Sequence, residues 1–196
     1  TAGKYKPGTT TVIDTSNWTV KRKVALPEIN NNNPHNMWPS RDQSVIYQTQ
    51  WFDTKLSMID RETGALIKNI RVGDTPSHVV TLPTNDDLTI AINGENGIAI
   101  IPAGTTNVSK MLPTQAHGHT SANPHGHWVS ADGTKIVTPN INTNDIGVYG
   151  SSGGILARTP TGNNAPGAHP IAIGMMPDSS KIYAANLLHH SLSVLD

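Results

Sequence analysis

Apolar and polar residues alternate over short stretches of this chain or gather in runs of four or five, and nowhere do they keep a helical spacing. The clearest unit predicts four strands. They are an inner strand from His35 to Pro39, a second from Val45 to Gln50, a third from Leu56 to Asp60 and an outer one from Leu66 to Val72. Turn-forming residues separate them, as in Arg41-Asp42-Gln43-Ser44 and Arg61-Glu62-Thr63-Gly64.

The unit repeats. An Asp followed by an apolar strand recurs at Asp42, Asp86, Asp132 and Asp178, in steps of 44, 46 and 46 residues. An alternating strand before a turn recurs independently, ending at Asp14, Asp60, Pro102, Gly150 and Asp196, in steps of 46, 42, 48 and 46. Four strands per period of about 45 residues mark a β-propeller blade. The expected fold is therefore all-β, a propeller of four-stranded antiparallel blades. Residues 1–196 form a single propeller region: the third and fourth strands of one blade, three whole blades, and the first three strands of another. Joining the ends would bring five strands to a blade that needs four. The chain thus reads as an incomplete part, about four blades, of a larger propeller, and unpaired edges call for the remainder of the propeller or a second chain to close the ring.

The repeat also carries a family resemblance. Met58-Ile59-Asp60, Thr63-Gly64, Ile70-Arg71-Val72-Gly73, Pro76, Ser130-Ala131-Asp132-Gly133 and Ile182-Tyr183-Ala184-Ala185-Asn186 together resemble the YVTN-type propeller repeat over essentially the whole chain. That resemblance implies the fold and leaves the function open, because propellers serve as enzymes, binders and scaffolds.

Composition removes several classes. Lys+Arg 14 balances Asp+Glu 14, so no charged footprint exists for nucleic acid or an anionic membrane. No apolar run approaches the roughly 20 residues of a membrane span. Cys 0 excludes disulfides, iron–sulfur clusters, thiolate metal sites and covalent c-type haem. The chain lacks an initiator Met and a charged-then-apolar leader, and reads as a mature product or a fragment. No phosphate-cradling Gly loop, nucleophile elbow or zinc-protease helix occurs.

Nine histidines remain, and the repeat places all of them on one rim. In a four-stranded antiparallel blade, the entry to the inner strand and the connection between the second and third strands emerge on the same side. His35, His78, His117, His119, His125, His127 and His169 fall at or next to such entries, and His189 and His190 fall in the other connection. His35, His78, His125 and His169 recur at 43, 47 and 44 residues, one per blade near the start of a strand that lines the axis. His117 with His119, and His125 with His127, stand two apart, so on an extended strand each pair shares a face. Imidazoles that converge on an axis can ligate a metal at about 2 Å.

An all-nitrogen set without thiolates or a carboxylate cage suits copper first, with zinc behind it; calcium and magnesium want oxygen. A propeller rim with one His per blade also resembles the copper propellers of nitrous oxide reductase and thiocyanate dehydrogenase. That resemblance implies a periplasmic or extracellular copper oxidoreductase acting on a small inorganic substrate, with an electron-transfer protein as partner. It carries over to His35, His78, His125 and His169 only, and the chain lacks the cupredoxin-like domain and Cys ligands of nitrous oxide reductase.

Asp53 and Glu95 share the rim connections with His189 and are the candidates for orienting a ligand or moving a proton. Trp38, Trp51 and Trp128 are expected to pack between blades or wall the channel. The alternative is a non-enzymatic propeller that presents its rim to a protein or surface. A more distant one is a propeller that holds haem through a single axial His, as in cytochrome cd-type nitrite reductases.

Overall fold

A computed structural model describes residues 8–26, 33–115, 121–161 and 167–196, and among these every regular element is a strand. In chain order the strands are β1 (Thr9–Asp14), β2 (Thr19–Ala25), β3 (Pro34–Pro39), β4 (Val45–Gln50), β5 (Lys55–Asp60) and β6 (Leu66–Arg71). They continue with β7 (Pro76–Thr81), β8 (Leu88–Ile92), β9 (Gly97–Ile101), β10 (Lys110–Pro113), β11 (Trp128–Val129) and β12 (Lys135–Asn140). The last are β13 (Asp145–Gly150), β14 (Ile155–Pro160), β15 (Pro170–Met175), β16 (Ile182–Asn186) and β17 (Ser191–Leu195).

They form five antiparallel sheets whose strands pair only with sequence neighbours: β1-β2, β3-β4-β5-β6, β7-β8-β9-β10, β11-β12-β13-β14 and β15-β16-β17, called sheets 1 to 5 below. Adjacent sheets pack face to face through their inner strands, β3 and β4 on β7, and β11 and β12 on β15. This is the four-stranded antiparallel blade architecture that the alternating pattern implies.

Burial explains why some strands alternate and others do not. β8 and β9 are buried along their whole length, and they read as the near-continuous apolar runs Leu-Thr-Ile-Ala-Ile and Gly-Ile-Ala-Ile-Ile. One core joins sheets 2 and 3 through Leu56, Ile70, Val79, Ile90 and Ile92, and a second joins sheets 3 and 4 through Ile98, Leu112, Ile136 and Tyr149. At 20–33 cal/mol per Å² of apolar surface removed from water, these interfaces supply most of the cohesion between sheets. Sheets 1 and 5 each leave apolar side chains open, with Ile13, Val20, Leu192 and Val194 exposed.

Turns on the rim away from the histidines close with short polar side chains. The Asp42 carboxylate accepts from Ser40 and Ser44, and that of Asp132 accepts from Ser130 and Thr134, which holds both acids down at about 2. Among the described residues no helix is long and apolar enough to cross a membrane.

Candidate metal site

The site begins with four prolines. Pro34, Pro76, Pro124 and Pro170 open the approach to the inner strands and face Gln50, Ile92, Asn140 and Asn186, the last residues of the second strands. The residue before each, Asn33, Thr75, Asn123 or His169, holds a left-handed backbone at φ 61°, 54°, 53° or 51°. Its carbonyl accepts the N–H of Trp51, Asn93, Ile141 or Leu187 in the connection between second and third strands. Few non-glycine residues adopt this conformation, and Pro disfavours a helical neighbour, so the shared geometry marks a common rim device.

Beyond each proline an extra residue enters the inner strand. The register slips between Pro34 and Met37, Pro76 and Val79, and Pro170 and Ala172; in sheet 4, three residues between Pro124 and Trp128 face two between Val137 and Asn140. Such bulges re-aim side chains. Here they bring His35 of β3, His78 of β7 and His125 of the Pro124–Trp128 segment together, with one ring nitrogen from each within 4.8 Å of the others.

The three rings meet edge to face or tilted, with centroids 5.0 Å apart for His35–His125, 5.1 Å for His78–His125 and 5.4 Å for His35–His78. Nε2 of His35 and Nε2 of His125 stand 3.2 Å apart. Two bonds of about 2.0–2.1 Å to one ion subtend roughly 100–105° across that gap, close to the tetrahedral angle, so the spacing, which also suits an N–H···N hydrogen bond between the rings, is compatible with a shared metal. Trp51, in the β4–β5 turn, walls the group with its ring 4.8 Å from that of His35 and 5.2 Å from that of His125.

A belt of hydrogen bonds runs from sheet to sheet beneath the rings. Thr49 accepts from the Asn36 N–H and donates to the Ser77 carbonyl at 2.6 Å; Ser77 donates to the His125 carbonyl at 2.7 Å; the Asn36 side chain accepts the Val79 N–H at 3.0 Å. Thr49 and Ser77 have no exposed surface, so these bonds work in a low dielectric. Each bulge is thereby tied to the next, which fixes where the imidazoles point.

Electrostatics keeps the rings neutral. Burial pushes His78 down to about 3, helped by the neighbouring His125, His127 and His35. Burial and His35 bring His125 to about 4, against the opposing hydrogen bond to Ile171. His35, the most open of the three, is also lowered by burial. Neutral imidazoles present lone pairs at neutral pH, the state a metal ligand requires.

The other predicted positions lie elsewhere. His169 stays outside the three-ring group, at the left-handed position before Pro170 that Asn33, Thr75 and Asn123 fill in the other sheets; one residue past that proline sheet 5 carries Ile171. His127, 2% exposed, packs its Nε2 2.8 Å from the Thr89 hydroxyl, and burial lowers it to about 4. His117 and His119 lie outside the described residues. Glu95 accepts the Asp74 N–H at 2.9 Å, and Asp53 accepts the Thr54 N–H and pairs with Lys55 at 3.3 Å. Asn36, Thr49 and Ser77 escape a search for metal ligands, although a Ser beside His78 in the apolar run Pro-Ser-His-Val-Val signals a buried polar job.

Solved structures share this architecture. A streptogramin B lyase superimposes with a TM-score of 0.77 at 17% identity, covering 98% of this chain and 63% of that one. A catalytically inactive virginiamycin B lyase from Staphylococcus aureus, solved with quinupristin, gives 0.78 at 18%, covering 96% and 59%. Hydrazine synthase of Kuenenia stuttgartiensis gives 0.79 at 18%, covering 98% and 66%. These likenesses show a β-propeller fold, and the chain spans about three-fifths of the length of those proteins. The sequence matches no family model and no curated protein.

Proposed function

We propose that His35, His78 and His125 hold a single metal ion, copper before zinc, at the mouth of the axial channel, and that the protein is a copper-dependent oxidoreductase for a small inorganic substrate. The observation that carries this reading is the convergence of three neutral imidazoles from three successive sheets, with two Nε2 atoms 3.2 Å apart. Three nitrogen ligands leave a position for substrate, the pattern of catalytic rather than structural centres. Copper bound there supplies one-electron chemistry and a Lewis-acid position. The protein's own residues shape the rest: Trp51 excludes water from one side of the rings, and the belt through Thr49 and Ser77 holds their orientation. Glu95 and Asp53, at equivalent positions in the β8–β9 and β4–β5 turns, are the carboxylates proposed to orient a ligand or move a proton.

On this reading, which follows the resemblance to copper propellers, the protein works in the periplasm or outside the cell, with an electron-transfer protein as partner and further blades or a second chain closing the ring. Hydrazine synthase, by its name, gives this fold a precedent for chemistry on a small inorganic molecule. The alternative reading is a non-enzymatic scaffold that presents its rim to a protein or surface.

Metal analysis of purified protein tests both. One copper per chain, lost in His78→Ala and His125→Ala, supports the site. Turnover of thiocyanate with an artificial electron acceptor, or of nitrous oxide with a donor, supports the enzyme when the same variants abolish it. A folded protein that binds neither copper nor zinc overturns the reading in favour of the scaffold.

A further inference from the structure

We propose that sheet 5, which adds no imidazole to the three-ring group, controls the site through a backbone carbonyl: Ile171 fixes the tautomer of His125, and Gly126 is the residue that lets it come close enough to do so. The inference rests on the three-histidine reading and names the residues that position its most buried ligand.

The His125 Nδ1 lies 2.9 Å from the Ile171 carbonyl oxygen. A carbonyl carries no proton, so the ring nitrogen must donate. A neutral imidazole has one N–H, and once Nδ1 bears it, Nε2 keeps a bare lone pair. That lone pair is the one 3.2 Å from His35 Nε2, where the ion is placed. Free imidazole side chains favour the opposite tautomer, which would put a proton at the metal position. The Ile171 carbonyl therefore selects the ligating form before any metal arrives, as the outer partners of metal-bound histidines do.

Gly126 makes the approach possible. Its N–H also donates to the Ile171 carbonyl, at 3.1 Å. A methyl group added there would stand 2.9 Å from that oxygen, 3.3 Å from the Ala172 Cα and 3.4 Å from the Ile173 nitrogen. All three are backbone atoms of β15: Ala172 and Ile173 are held in its ladder with β16, and Ile171 is the bulged residue between the paired Pro170 and Ala172, so none can swing aside as a side chain would. On its other side the Gly126 carbonyl accepts the Thr138 hydroxyl at 2.8 Å, so the segment cannot retreat freely. The requirement for glycine is one of space between two sheets. Any larger residue pushes sheet 5 away and releases Nδ1.

Long-range proton–nitrogen NMR of the metal-free, folded chain at pH 7 reads the tautomer directly. His125 is expected as the Nδ1–H form; an Nε2–H form overturns the proposal without any variant being made. Zinc titration by calorimetry then compares two alanine substitutions. Gly126→Ala is expected to bind zinc about 10–100-fold more weakly and to populate the Nε2–H form. Gly174→Ala, in β15 with nothing within 4 Å of the added methyl, is expected to change neither. A folded Gly126→Ala protein with unaltered tautomer and affinity overturns the proposal. Wild-type protein that shows the Nδ1–H form yet binds neither zinc nor copper sinks the three-histidine reading instead, and leaves the tautomer assignment standing.

Discussion

Removing one oxygen atom, by Ser77→Ala, tests the belt that aims the histidines. Ser77 has no exposed surface, and its single hydroxyl hydrogen has its shortest contact, 2.7 Å, with the His125 carbonyl; the Ala91 carbonyl lies 3.0 Å away. Alanine fits the same space with one atom fewer, so the cavity term is small. The cost is an acceptor at His125 buried without its donor, about 1–3 kcal/mol. With a urea slope of roughly 2 kcal/mol/M, the unfolding midpoint should fall by about 0.5–1.5 M. Copper or zinc affinity should fall about tenfold or more, because the bulge that carries His125 loses its anchor. Ser130→Ala supplies the control. That serine is equally buried but serves the turn at Asp132 on the opposite rim, so its loss should cost stability and leave metal affinity unchanged. If Ser77→Ala unfolds within about 0.5 kcal/mol of wild type and binds metal as tightly, the belt does not position the site.

Three other expectations are open to measurement. In Gly147→Ala the new methyl would overlap the hydroxyl and two ring carbons of Tyr149, which is 1% exposed, so calorimetry should find a loss of about 1–3 kcal/mol. Adding Tyr149→Leu should make the pair cost less than the sum of the singles, and strict additivity would argue against the clash. Asp42 and Asp132 ionise more readily folded than unfolded; their contribution is present above the ordinary 3.8 and is lost as pH falls through about 2. Carboxyl carbon NMR should give midpoints near 2 for both, and ordinary midpoints would mean their turns are open in solution. Copper(II) should quench tryptophan fluorescence chiefly through Trp51, the indole in contact with His35 and His125, so quenching that survives undiminished in Trp51→Phe would place the ion elsewhere.

Most of the strands are legible because a half-buried strand must alternate and its turns need Asp, Ser and Gly. Val45–Gln50 emerges with the bounds the pattern predicts, and β3, β5 and β6 differ at one end by a single residue. β11 shrinks to Trp128–Val129 because the bulge at His125 and Gly126 occupies the stretch where pairing would begin, and an inserted residue leaves no mark on hydropathy. The same bulges limit what histidine spacing can say. His35 and His125 follow their prolines by one residue and His78 by two, whereas His169 precedes its own, so steps of 43, 47 and 44 residues look uniform while the backbone does not. The Ile171 carbonyl has no signature in sequence, since every residue has one.

The three rings belong to three separate wedges of the propeller, and that gives an ion seated among them a mechanical part as well as a chemical one. It would act as a keystone. At a hundredfold excess over its dissociation constant, metal adds about 2.7 kcal/mol to the closed arch. By the same linkage, any force that spreads the wedges must loosen the grip on the ion. How tightly an ion would be held there and how far the wedges can breathe would then be one quantity seen from two sides.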